Sequence, residues 1–211
     1  VQFPEFGLMS LGVMFTMFTA GIDLSVVAIA NVTGICAALT LRATLTGPAT
    51  ASSMGMAVLI ALGVALVVGV VCGLINGILV SILKIPPILA TLGTLELFGG
   101  VALVLTEGKP VSGLPPAFST AKVVGLVPIP LVVFLVCAAV AGFIVACTSF
   151  GRTILMLGTN DTAARFSGLK VNSLLIRTYV LSGVMAAMAG VVMLANYNSA
   201  KADYGTSYTL L

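Results

Sequence analysis

The chain has 211 residues, of which 60% are hydrophobic and 7% charged, and nine Lys and Arg stand against six Asp and Glu for a net charge of +3. Ordinary soluble domains carry about 25% charged residues, so a mean hydropathy of +1.25 excludes a cytosolic globular domain, a nucleic-acid binder and a disordered chain. The absence of His excludes a Ser-His-Asp centre and imidazole metal sites within this chain.

The apolar runs are long and continuous rather than alternating, which predicts an all-α polytopic membrane protein. About six spans are expected, at 6–22, 24–41, 56–83, 85–105, 123–148 and 178–198, because a span needs roughly 20 apolar residues. The first two are separated only by Asp23, in the stretch Gly21-Ile22-Asp23-Leu24-Ser25. A carboxylate in hydrocarbon is costly and usually faces a bundle interior or an aqueous cavity. Gly21 permits irregular backbone there, and Asp23 or Ser25 can cap the following helix. Two readings stay open: a helix cap alone, or a broken helix whose end points into a transport pathway. Asn31 is a further polar residue of the second span. The 56–83 run carries Gly69, Gly73 and Gly77, a stripe that lets a second helix approach backbone to backbone. Asn76 lies beside it. Pro86-Pro87 restarts the chain after Lys84. Glu96, midway along 85–105, is expected to be a second buried carboxylate, with either a structural or a functional role. Asp23, Ser25, Asn31, Asn76 and Glu96 are the substrate-pathway candidates.

Residues 152–177 hold Arg152, Arg165, Lys170 and Arg177 against Asp161 alone. The positive-inside rule makes this segment cytoplasmic and puts the 106–122 loop outside, with Lys84 inside and 42–54 outside. Within the basic segment, Asn160 or Asp161 can cap a short helix through Ala163, Ala164, Arg165 and Phe166, ended by Gly168 in the left-handed conformation. Such a helix suits docking on another protein or serves as a plain connector. Cys36, Cys72, Cys137 and Cys147 all sit in apolar runs and read as small buried hydrophobes. No phosphate-binding loop surrounds Gly108-Lys109. The chain starts at Val1 and ends as hydrophobic sequence resumes, so a longer protein is expected around a single transmembrane domain covering 1–211.

In order along the chain, four stretches resemble the permease subunits of ribose-type ABC importers. They are Gly21 to Ser25; Ile85-Pro86-Pro87 through Gly93, with Gly108-Lys109-Pro110-Val111-Ser112-Gly113-Leu114-Pro115; Phe150-Gly151-Arg152 with Gly158 to Gly168; and Tyr179-Val180-Leu181-Ser182-Gly183 through Gly190. Val26-Val27 and Glu96 depart from the family's usual pattern. The resemblance implies a multi-pass protein of the bacterial inner membrane that moves a ribose-like or related sugar and is not itself an enzyme. It implies that no cofactor is bound by this chain, ATP being held by a separate ABC ATPase subunit. It further implies a second permease copy or homologue and a periplasmic sugar-binding protein. Residues 152–177 would then be the coupling loop, with Asn160, Asp161, Ala163, Ala164, Arg165, Phe166 and Gly168 facing the ATPase. An ion-coupled secondary carrier using Asp23 and Glu96 is the alternative.

Overall fold

A computed structural model describes residues 3–45, 51–112, 122–123 and 127–204. Its helices are α1 (Phe3–Met17), α2 (Val26–Thr44), α3 (Ala51–Ser81), α4 (Pro87–Thr106), α5 (Ile129–Cys147), α6 (Ser149–Thr159), α7 (Asp161–Phe166) and α8 (Val171–Tyr197). Strand pairing among the described residues is confined to β1 (Lys122–Val123) with β2 (Val127–Pro128) and a bridge between Val111 and Ala200. Five helices, α2, α3, α4, α5 and α8, are long and apolar enough to cross a membrane, and α1 is a shorter apolar helix of 15 residues.

Helix α8 is the mast of the bundle and packs against α3, α1 and α2. Glycines decide how closely it is approached. A Cβ on Gly69 would lie 2.5 Å from the Gly183 carbonyl oxygen, and one on Gly77 would lie 2.9 Å from the Ile176 Cα. A Cβ on Gly73 would collide with the Tyr179 carbonyl. The α3 stripe therefore lies on the α8 backbone. Gly183 answers from α8, and Gly190 does the same against Ala30 of α2. Without a hydrophobic drive between helices in lipid, such close van der Waals contact is what holds them together. Any side chain at Gly73 would have to force two backbones apart, an overpacking that costs about 1–3 kcal/mol even in cores with flexible neighbours.

Helix boundaries depart from the apolar runs where turn chemistry or charge intervenes. Helix α1 stops at Met17 rather than continuing to 22, because Ala20 takes a left-handed φ of 56°. Gly21 N–H donates to Thr16 O and Ala20 N–H to Met17 O, each at 3.0 Å, the paired bonds of a Schellman cap. Helix α8 begins at Val171, seven residues before the expected start, because an exposed Arg177 is carried on the helix with its head free to reach the interface. Residues 152–177 are helical over most of their length, as the end of α6, all of α7 and the first turns of α8, rather than a loop. A Cβ on Gly151 would strike the Val145 carbonyl, so the α5–α6 corner is also closed by glycine.

The helix ends sort into two groups. Thr19, Ala20, Lys84, Pro86, Gly158, Asp161 and Arg165 share one small hollow, and Lys84 Nζ donates to Asn172 Oδ1 at 2.8 Å. At the other end Asn196 donates to Glu5, Asn31 Nδ2 donates to Ala202 O at 2.8 Å, and Val111 pairs with Ala200. There Lys201 donates to Asp203 at 2.7 Å, and that bond and charge hold the ammonium above its ordinary range. The first end carries the excess of positive charge, the end that the positive-inside rule expects in the cytoplasm. Part of the expected outer loop, 113–121, and part of the 42–54 loop, 46–50, lie outside the described residues.

Both Ser167 and Ser112 are exposed, at opposite ends of the bundle. In a cysteine-free background, Ser112→Cys should react with an impermeant maleimide added to spheroplasts. Ser167→Cys should react only after the membrane is opened. The reverse labelling pattern would invert the topology.

Candidate functional site

The break between α1 and α2 is the point where polar groups converge. Gly12 of α1 and Asp23 both approach Ser182, the twelfth residue of the 27-residue α8. At 1.5 Å per residue that level lies roughly 17 Å along a helix of about 40 Å, near the middle of the bilayer. Helix α1 descends past this level, the chain turns at 18–20, and residues 21–25 climb back so that α2 starts at Val26 inside the membrane. Non-helical backbone survives at such depth only where protein satisfies its polar groups. Thr91 of α4 does so for Ile22, donating to its carbonyl at 3.0 Å.

Asp23 is 2% exposed and accepts three hydrogen bonds. Oδ1 receives Ser25 N–H at 3.0 Å and Ser25 Oγ–H at 2.6 Å, and Oδ2 receives Ser182 Oγ–H at 2.8 Å. Asn76 of α3 closes the network, its Nδ2 donating to Ser25 Oγ at 2.7 Å. Ser25 occupies the N-cap position of α2 but makes no side-chain cap bond. The carboxylate of Asp23 instead takes the Ser25 N–H beside the positive end of the α2 dipole, an arrangement that favours its charge. The node thus joins the re-entrant segment to α3 and α8. Each interhelical bond of this kind is worth about 0.6–2 kcal/mol. Asn76 Oδ1 is buried in this network without a partner, and so is Tyr179 Oη, which lies against Gly21. Gly21 matters here, since a Cβ would lie 2.8 Å from that hydroxyl oxygen.

Asp23 also reaches the floor of a cleft of about 590 Å³ between α1 and the start of α2, walled by Met9, Val13, Met17 and Phe18 and edged by Ser10. The cleft is mostly apolar with a few convergent polar groups, the usual make-up of a small-molecule site.

The structure brings together Asp23, Ser25 and Asn76 from the sequence-predicted set, and separates the other two. Asn31 sits toward the bundle end that holds Glu5 and Lys201, tied to Ala202. Glu96 is not buried in this chain. Helix α4 turns Ala90, Thr91, Thr94, Phe98 and Ala102 inward, and Glu96 lies on the opposite face in a shallow hollow with Leu97, Gly100, Val101 and Val104. Sequence reasoning passed over Ser182 and Tyr179 as functional positions. Their signal is positional: Tyr179 stands one turn before Gly183 on the face that meets α3, and Ser182 on the adjoining face that meets Gly12 of α1.

At the positively charged end of the bundle, Asn160 caps α7 by accepting Ala163 N–H at 2.9 Å. Arg165 pairs with Asp161 at 3.0 Å across one turn. Gly168 has φ +77°, and Leu169 N–H returns to Ala164 O at 3.2 Å, another Schellman cap. Phe166 is 90% exposed. Ala164, expected to face a partner, is instead 2% exposed and packed under α7 against Leu157, Val171 and Leu174. Its small size serves the chain's own packing, and Ala163 takes the outward position.

The whole chain, residues 1–211, matches the family described as the permease component of branched-chain amino acid transport systems, and the chain belongs to this family of membrane permeases. It is 39% identical over 188 residues to the autoinducer 2 import system permease protein LsrC of Yersinia pestis (strain Pestoides F), covering 88% of this chain and 50% of that protein. It is 38% identical to the LsrC protein of Yersinia enterocolitica, over 88% of this chain and 49% of that protein. To the ribose import permease protein RbsC of Haemophilus influenzae it is 31% identical over 210 residues, 96% of this chain and 61% of that protein. The resemblance to ribose-type permeases therefore holds, and the ion-coupled carrier is set aside. The chain spans about half the length of the curated relatives it matches. No solved structure matches it. Family membership and five apolar spanning helices make this a multi-pass protein of the bacterial inner membrane.

Replacing Asp23 tests the node directly. Asp23→Leu strands the Ser25 and Ser182 hydroxyls in a dry interior at about 1–3 kcal/mol each, and the yield of folded protein should collapse. Asp23→Asn keeps an acceptor for the Ser25 groups and should retain most of it. Equal melting temperatures for wild type and Asp23→Leu would remove the node from the account.

Proposed function

We propose that the chain forms the core of a permease subunit in an ATP-driven importer for a monosaccharide or related small sugar derivative. The observation that carries this reading is α7: a capped two-turn helix on the positively charged end of the bundle, with Phe166 bare and its scaffold buried beneath Ala164. An apolar ring held out by a rigid, tightly capped helix suits insertion into a groove on another protein. That protein is an ABC ATPase in this reading, and residues 152–177 are the coupling segment. Family membership supports it, as do relatives named as import permeases for ribose and autoinducer 2.

The chain itself binds no nucleotide in this reading; ATP stays on the partner. Solute moves along the cleft that Asp23 helps to line, whose open side is closed by a second permease copy or homologue. A periplasmic sugar-binding protein delivers the solute to the end marked by the Val111–Ala200 bridge. Relatives named for both ribose and autoinducer 2 favour a small polyhydroxylated solute. Asp23, Ser25 and Asn76 then hold the pathway's inner wall in shape. Asn31 acts at the outer end, and Glu96 faces whatever covers α4.

The test is uncoupling without unfolding. Phe166→Ala removes only exposed ring, and Ala163→Glu places a charge on the outward face. Both variants should reach the membrane at normal levels and keep their melting temperature. Co-purification of the ATPase and ATP-dependent sugar uptake into vesicles should each fall about tenfold or more. Gly168→Val adds backbone strain of about 1–2 kcal/mol with no steric clash and should act in the same direction. Full ATPase association in all three would reduce α7 to a connector.

A further inference from the structure

The Asp23 node has a charge and oxygen inventory that hydrogen bonds within the chain do not close. Asp23 is a carboxylate surrounded by neutral donors. Among the described residues the ion pairs are Arg165–Asp161 and Lys201–Asp203, both at bundle ends and neither involving Asp23. The α2 N-terminus offers only the partial charge of a helix dipole. An unpaired charge in a dry interior is costly unless something neutralises it. Asn76, which bonds Ser25, has its Oδ1 fully buried without a partner, and Tyr179 Oη, equally buried and unpartnered, lies against Gly21, two residues before Asp23. Buried polar atoms of this kind normally have a partner.

Both unpartnered atoms are oxygens, and they come from different elements. Asn76 is carried on α3 between Gly73 and Gly77, and Tyr179 on α8 three residues before Ser182. Adding Asp23 itself and the hydroxyls of Ser25 and Ser182 gives five side-chain oxygens from the re-entrant segment, α3 and α8. Hard cations take oxygen ligands. The single carboxylate decides the charge: a monovalent ion leaves the node neutral, whereas a divalent ion would leave a net positive charge in the membrane middle. We propose that the node is a resident site for a monovalent alkali cation, which locks the re-entrant segment to α3 and α8. This role is structural and does not depend on which solute crosses.

The test uses the purified permease in detergent, with sodium chloride as the probe and choline chloride at equal ionic strength as the reference. Sodium should raise the melting temperature by several degrees in a saturable way. Tyr179→Phe deletes one oxygen while keeping the ring that fills the core, so it should fold and need at least fivefold more sodium for the half-maximal shift. Asp23→Asn should fold and lose the sodium response altogether. Identical melting in the two salts would overturn the proposal, leaving a water molecule or a protonated Asp23 to close the node. A sodium response that persists unchanged in Asp23→Asn would also overturn it, because the ion would then lie elsewhere.

Discussion

The fold depends on how closely α3 and α8 approach each other. Lipid offers these helices no hydrophobic reason to associate, so contact must be won by geometry. Gly69, Gly73 and Gly77 remove the side chains that would hold the backbones apart, and Gly183 answers from α8. The consequence reaches the site. Asn76 stands between two of the α3 glycines, and Tyr179 and Ser182 precede Gly183 on α8. The seam that packs the bundle therefore also brings three polar groups to one level.

That level is where the chain breaks. A helix interrupted in mid-membrane exposes N–H and C=O groups that water cannot reach. Asp23 takes the Ser25 N–H, Thr91 satisfies Ile22 O, and the Schellman cap closes α1. The Asp23 that closes the break also lines the cleft beside α1. A cleft needs a wall that ends partway through the membrane, and the break supplies it. The α7 end shows a similar economy: α7 is held by its own caps and by Ala164, which leaves Phe166 exposed.

Much of this was legible in the sequence. The apolar runs announced the spans, because a helix in lipid must be apolar over a set length. The glycine spacing announced a close neighbour, and the isolated Asp23 a satisfied interior, because both are expensive otherwise. Gly168 as a left-handed cap was readable from local chemistry, and its φ is +77°. What was not legible is anything set by rotation of a helix about its axis. Glu96 and Thr91 share α4, and only packing against α2 and α3 decides that Thr91 turns inward and Glu96 outward. Ala164 and Ala163 are adjacent and identical, yet one is buried and the other bare. The end of α1 at Met17 was missed because its Schellman cap uses Ala20, where glycine is the usual signal.

The central claim is that α3 and the start of α2 meet through Ser25 and Asn76 in the middle of the membrane. Ser25 Oγ and Asn76 Nδ2 are 2.7 Å apart, so a disulfide formed across that pair measures the contact directly. In a cysteine-free background, Ser25→Cys with Asn76→Cys should lose both free thiols on mild oxidation, read as a missing maleimide mass tag and reversed by reductant. The pair Ser25→Cys with Glu96→Cys should keep both thiols. Equal oxidation of the two pairs, or none in the first, would contradict the account.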